Sequence, residues 1–167
     1  TEHQSELKGL VDFYKKGGKI LFSNYAAHLP HLLGIEPEKP ETRILSIQDD
    51  WLFDKKGLQS YRGHPVFREL FGGTFIWDAY ENHSLPIIGY FEENFPAAGK
   101  VVAVENSYIT IHSKNKLMLE YRENDGKILS VGGFIYLSRP NHLRLQQEKF
   151  LENCLDYLGG QNNSDPI

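Results

Sequence analysis

The residues equipped for chemistry gather in two short stretches. Ser23-Asn24-Tyr25-Ala26-Ala27-His28 sets a hydroxyl, an amide, a phenol and an imidazole on a strand-to-helix turn. Gln48-Asp49-Asp50-Trp51 sets paired carboxylates beside an indole at the end of a second apolar run. In open α/β sheets the loops after the strands line the ligand crevice. Asn24, Tyr25, His28, Asp49, Asp50 and Trp51 are therefore the candidate ligand contacts. Carboxylates beside an aromatic suit sugar hydroxyls, or acid–base work if burial raises one of them. Neighbours on a strand point to opposite faces, so Asp49 and Asp50 are not expected to reach one ligand together.

Other groups carry less. His28 and His31 have a spacing that suits a metal, but a third ligand would have to converge from Asp49, Asp50 or His64, and ordinary capping or surface roles are expected instead. No metal and no cofactor is expected. Ser23 lacks the flanking glycines of a nucleophile elbow. Arg139 and His142, near the start of the last helix, form a weak candidate anion site. Cys154 lies in the apolar face of that helix and is expected to be a buried, inert thiol. It is the single cysteine, so no intrachain disulfide forms.

The elements that must position these groups follow from pattern. Leu7, Leu10, Val11 and Tyr14 recur at helical spacing, and Gly17-Gly18 closes that helix. Lys19–Ser23 reads as a short strand covered on both faces, at the centre of the sheet. The strand that should precede the first helix is missing. Residues 26–33 predict a short helix closed by Gly34, with Pro30 in its first turn. Residues 43–47 predict a strand, Lys55-Lys56-Gly57 a turn, and residues 66–71 a short helix with Pro65 at its start. Residues 74–77 and 86–90 are short strand candidates. Residues 100–105, 108–111, 116–121 and 127–131 read as strands, with turns at His112-Ser113-Lys114-Asn115 and at Asn124-Asp125-Gly126. Asn141 is placed to cap a last helix whose face is Leu143, Gln147, Phe150, Leu151, Cys154, Leu155 and Leu158.

Composition bounds the rest. The 167 residues suit one domain with a sizeable core, expected over residues 1–158 with a linker or tail at 159–167. A net charge of -4 argues against nucleic acid as a partner. No apolar run approaches the roughly 20 residues that span a bilayer. Residue 1 is Thr, and the chain is expected to be processed or part of a longer protein.

Three pieces, in order, resemble class I glutamine amidotransferase-like proteins. Residues 7–18 followed by residues 20–22 resemble that family's helix, Gly-Gly, strand step. His64-Pro65-Val66-Phe67 is similar to a step after its central strands. Residues 121–133 with the terminal helix are similar to its ending. Together they touch about half of the chain. The resemblance implies a doubly wound three-layer αβα sandwich with a mostly parallel sheet, here with antiparallel hairpins in the C-terminal half. It further points to the amidotransferase-like domains of bacterial carbohydrate-active proteins. Active members place a cysteine in a strand-to-helix elbow, and here Asn24 stands at that position, with Ala26 where a glycine gives room. The implied role is a non-catalytic accessory or interaction domain of a larger glycan-processing protein. Its expected partners are other domains of a longer parent chain, and carbohydrate. The periplasm or cell surface is favoured over the cytoplasm. Two alternatives stand beside it: a hydrolase using a strand-end carboxylate or histidine under a lid of residues 51–95, and a sugar-binding module using exposed aromatics such as Trp51 and Trp77.

Overall fold

A computed structural model describes residues 2–46, 56–77, 84–107, 110–133 and 144–160. Asp49, Asp50, Trp51, Arg139, Asn141, His142 and Leu143 lie outside the described residues, as does the Trp77 side chain.

Helix α1 (Glu2–Lys15) ends as the double glycine predicts. The Gly18 amide donates to Phe13 O at 2.8 Å and the Gly17 amide to Tyr14 O at 3.0 Å, with Gly17 at φ 101. This pair of bonds satisfies the last carbonyls and needs a left-handed residue, which glycine supplies without strain. The chain reverses directly into β1 (Lys19–Ser23). A 3-10 turn, Asn24–His28, and a one-turn helix α2, Leu29–Leu32, follow and close at Gly34.

Then come β2 (Glu41–Ser46), β3 (Lys56–Ser60), β4 (Gly73–Trp77), β5 (Ser84–Gly89), β6 (Lys100–Ser107), β7 (Thr110–Glu123), β8 (Gly126–Val131) and α3 (Arg144–Leu158). Among the described residues six strands form one sheet in the order β1-β8-β7-β6-β3-β4, and β2 pairs with β5 in a separate ribbon. The expected mostly parallel sheet is not what forms. Only β1 and β8 run parallel, and the other four pairings of the main sheet are antiparallel. The reason is connectivity. β7 and β8 are joined by a tight turn with Asn124 at φ 53, and a short turn can join only antiparallel strands. The architecture is mixed α/β, with a main sheet that is largely antiparallel among the described residues.

Other expectations are corrected by the pairing. Among the described residues β1 lies at the edge of the sheet, not its centre, and only Phe22 of its five residues is buried. The expected turn at Lys55-Lys56-Gly57 gives way to β3, which pairs with both β6 and β4. Its Lys, Gly and Gln have little strand preference of their own, so its neighbours impose the conformation. The expected turn at residues 112–115 lies inside β7. The register jumps there from Lys116 opposite Val104 to His112 opposite Glu105, so residues 113–115 bulge out of a continuous strand. The short helix expected at residues 66–71 is a single 3-10 turn, Pro65–Phe67.

The core has two parts, one on each face of the sheet. Strand alternation sends Ile20, Phe22 and Ile128 to the Tyr14 side, with Leu119 and Tyr121. It sends Leu21, Leu129 and Val131 to the other side, where Phe150, Cys154, Tyr157 and Leu158 of α3 pack. α3 is rotated from its expected face: Leu155 is exposed, while Asn153 and Tyr157 are buried. Burial of Asn153 is possible because its amide donates to Val66 O and Arg68 O at 3.1 and 2.8 Å. Leu7, Leu10 and Val11 of α1 are only half-buried.

Candidate functional site

The elbow forms where the sequence places it. Asn24 follows β1 directly and sits at φ 51, a left-handed conformation that asparagine tolerates better than most residues. It is 5% exposed. Its backbone amide donates to Gly133 O at 3.1 Å, and its side-chain amide donates to Pro86 O of β5 at 3.3 Å. β5 therefore lies across the elbow, at the C-terminal ends of β1 and β8 where a crevice would open. The Ile88 amide also donates to Gly132 O at 2.8 Å. A Cβ on Gly132 would run into Ile88 O, so close packing of β5 explains this glycine.

The neighbours of Asn24 do not join it. Tyr25 is 60% exposed. His28 Nε2 lies 2.6 Å from Thr42 Oγ1 on β2. Burial, then Lys39 and His31, lower the pKa of His28 and favour its neutral form. His31 turns to Glu36 O at 2.9 Å. The two histidines thus serve different partners, and among the described residues no group of three metal-ligating side chains occurs. Cys154 is fully buried, and burial pushes its thiol pKa far above the usual range. No thiolate is available to serve the elbow.

Among the described residues three buried carboxylates, Glu36, Glu105 and Glu120, escaped the sequence reading, and Glu105 Oε2 accepts from Asn115 Nδ2 at 2.6 Å. Glu36, in the loop before β2, is 1% exposed. Its Oε1 accepts from the amides of Ala98 and Gly99, and its Oε2 from those of Glu38 and Ala97, all at 2.8–2.9 Å. The Tyr121 hydroxyl adds a longer contact of 3.4 Å. Burial alone would raise its pKa, but the four backbone amides outweigh burial and lower it. Glu36 clamps two loops together.

Glu120 of β7 is 5% exposed on the α3 face. His64 Nε2 meets its Oε1 at 2.7 Å, Tyr157 OH lies 2.8 Å from both oxygens, and Arg122 Nε pairs with Oε2. His64 Nδ1 accepts from the Val66 amide at 3.3 Å, so Nε2 carries the proton and donates to Glu120. Burial opposes ionisation of Glu120, yet hydrogen bonds from His64, Arg122 and Tyr157 bring its pKa down to about 2. Such a carboxylate is a weak base with its lone pairs already committed. The arrangement braces the sheet against α3. The only local hint of it was His64-Pro65; the partners stand 56 and 93 positions away, beyond any spacing rule.

No family model matches the chain, and no curated protein matches it. Solved structures do share its fold. A β-galactosidase from Bacillus circulans sp. alkalophilus superposes with a TM-score of 0.57 at 9% identity, over 92% of this chain and 20% of that one. Gan42B, a GH42 β-galactosidase, gives 0.54 at 11% identity, over 93% and 20%. The β-galactosidase from Rahnella sp. R3 gives 0.53 at 10%, over 93% and 21%. At these identities the likeness is one of fold alone. The chain spans about a fifth of the length of these enzymes.

Proposed function

We propose that this chain is a non-catalytic, amidotransferase-like accessory domain of a larger glycan-processing bacterial protein, working in the periplasm or at the cell surface. The observation that carries the reading is the open edge of β1. That strand pairs with β8 on one side, and among the described residues no strand pairs with the other. A strand preceding α1 would reach that edge through a right-handed crossover, the usual connection between parallel neighbours. Unpaired edges are otherwise sites of unwanted association. Two further features support the reading. The elbow holds Asn24, packed under β5, where the amidotransferase-like family keeps its nucleophile. The fold recurs as about a fifth of several β-galactosidases.

An antibody raised against the chain tests the proposal in extracts of the source organism. The reading expects a native polypeptide well above 19.2 kDa, whose β1 amides exchange more slowly than those of the isolated chain. A native product of 19.2 kDa, or ammonia release from glutamine by the purified chain, overturns it.

A further inference from the structure

At the sheet edge opposite β1, a cleft of about 320 Å³ opens between β3, β4, the end of β6 and the first turn of α3. Its lining is rich in neutral groups that both donate and accept: the amides of Gln59, Asn106 and Gln146 and the hydroxyl of Thr74. Among the described residues the one charged lining residue, Glu69, pairs with Lys149 at 3.1 Å. The polar groups are partly linked to one another. Asn106 Nδ2 lies 3.5 Å from Gln59 Oε1, Gln59 Nε2 donates to Gly72 O at 3.0 Å, and Thr74 Oγ1 donates to Gln146 Oε1 at 3.1 Å. Asn106 Oδ1 is buried and accepts no hydrogen bond. A buried acceptor without a donor is costly, and a turn of the Asn106 amide toward the cleft would let a ligand hydroxyl relieve it.

The rim adds an apolar surface. Phe71 is fully exposed, the most exposed large apolar side chain among the described residues. The backbone holds it there with Glu69 at φ 63, Phe71 at φ 54 and Gly72 at φ 89. Left-handed backbone at a bulky residue is strained, and such strain gathers at ligand sites.

We propose that this cleft binds a neutral mono- or disaccharide, its hydroxyls paired with Gln59, Asn106 and Gln146 and one sugar face covered by Phe71. Groups that are donor and acceptor at once match hydroxyls. An anion would call for cationic donors and a metal for unpaired carboxylates, and the described lining residues offer neither. Its volume lies at the small end of the roughly 300–1,000 Å³ typical of small-molecule sites, which fits one or two sugar rings. The site is remote from Asn24 and from the β1 edge, so it stands or falls independently of the accessory-domain reading.

Titration of the ¹⁵N-labelled chain with D-galactose, D-glucose, D-mannose and lactose tests the proposal, with sodium acetate as the anionic control. The expected result is saturable shifts of the Gln59, Asn106 and Gln146 side-chain amides with at least one sugar. Phe71→Ala is expected to weaken that binding about two- to tenfold, and Gln146→Ala to weaken it similarly. Both positions are solvent-exposed, so both variants keep the fold. The proposal is overturned if no sugar gives saturable shifts, if the shifts lie outside the cleft, if acetate alone binds there, or if both variants bind as tightly as the parent.

Discussion

Replacing Glu36 by Gln is the sharpest perturbation the structure offers. The substitution keeps size and shape but exchanges one carboxylate oxygen for an NH2. Each oxygen holds two backbone donors: Ala98 and Gly99 on one, Glu38 and Ala97 on the other. Whichever way the new amide turns, two N–H groups lose their acceptor and face a donor. A hydrogen bond to a charged group is worth about 1.5–3 kcal/mol, so losing two costs about 3–6 kcal/mol. For a domain of this size about 2–4 °C of Tm accompanies each kcal/mol, giving a fall of about 6 °C or more. Circular dichroism melts of the parent and variant read this directly. Glu38→Gln, an exposed change two residues away, is the control and should stay within about 0.5 kcal/mol. Acid titration supplies a second check. The folded-state pKa of Glu36 lies below its ordinary 4.5. Its contribution is therefore complete above that value and is lost as pH falls through the folded one. The gap between parent and Glu36→Gln should narrow steadily below about pH 4.5. A Tm within about 3 °C of the parent, or a gap unchanged in acid, would refute the clamp.

Three further outcomes follow from the same geometry. Glu120→Gln should destabilise by about 3 kcal/mol in urea denaturation at neutral pH, because the charge is lost and the new NH2 faces a donor whichever way it turns, His64 Nε2 on one side or Arg122 Nε on the other. That difference should fade between about pH 4.5 and about pH 2, since the folded-state pKa is depressed to about 2. Asn24→Gly should be more stable than Asn24→Ala by about 1 kcal/mol in the same assay, because φ 51 strains alanine and not glycine; an alanine variant as stable as the glycine one would contradict the elbow geometry. The native chain should leave Ellman's reagent uncoloured until it is unfolded, because Cys154 is buried in the α3 core.

Local signals in the sequence were legible where a few adjacent residues decide the backbone. Gly17-Gly18 marked the end of α1, Asn124-Asp125-Gly126 marked the β7–β8 turn, and Gly34 marked the end of α2, each at a positive φ that glycine or asparagine supplies. The elbow at Asn24 was legible for the same reason. What failed was pairing. β3 has one buried apolar residue, Leu58, beside a half-buried Gln59 and a glycine, and only β6 and β4 make it a strand. A turn-like run at residues 112–115 was absorbed as a bulge because the ladder continues on both sides of it.

The site divides along the same line. By itself the sequence determined an α/β domain, the elbow with Asn24 at its turn and the burial of its lone thiol. These depend on residue type and short spacing. Only the tertiary structure decided that β1 is an edge, that β5 closes over Asn24, that Glu36 clamps residues 97–99 and that Gln59, Asn106 and Gln146 share one cleft. Those groups are brought together by strand order and by buried polar atoms seeking partners across tens of residues, and no periodicity in the chain encodes such meetings.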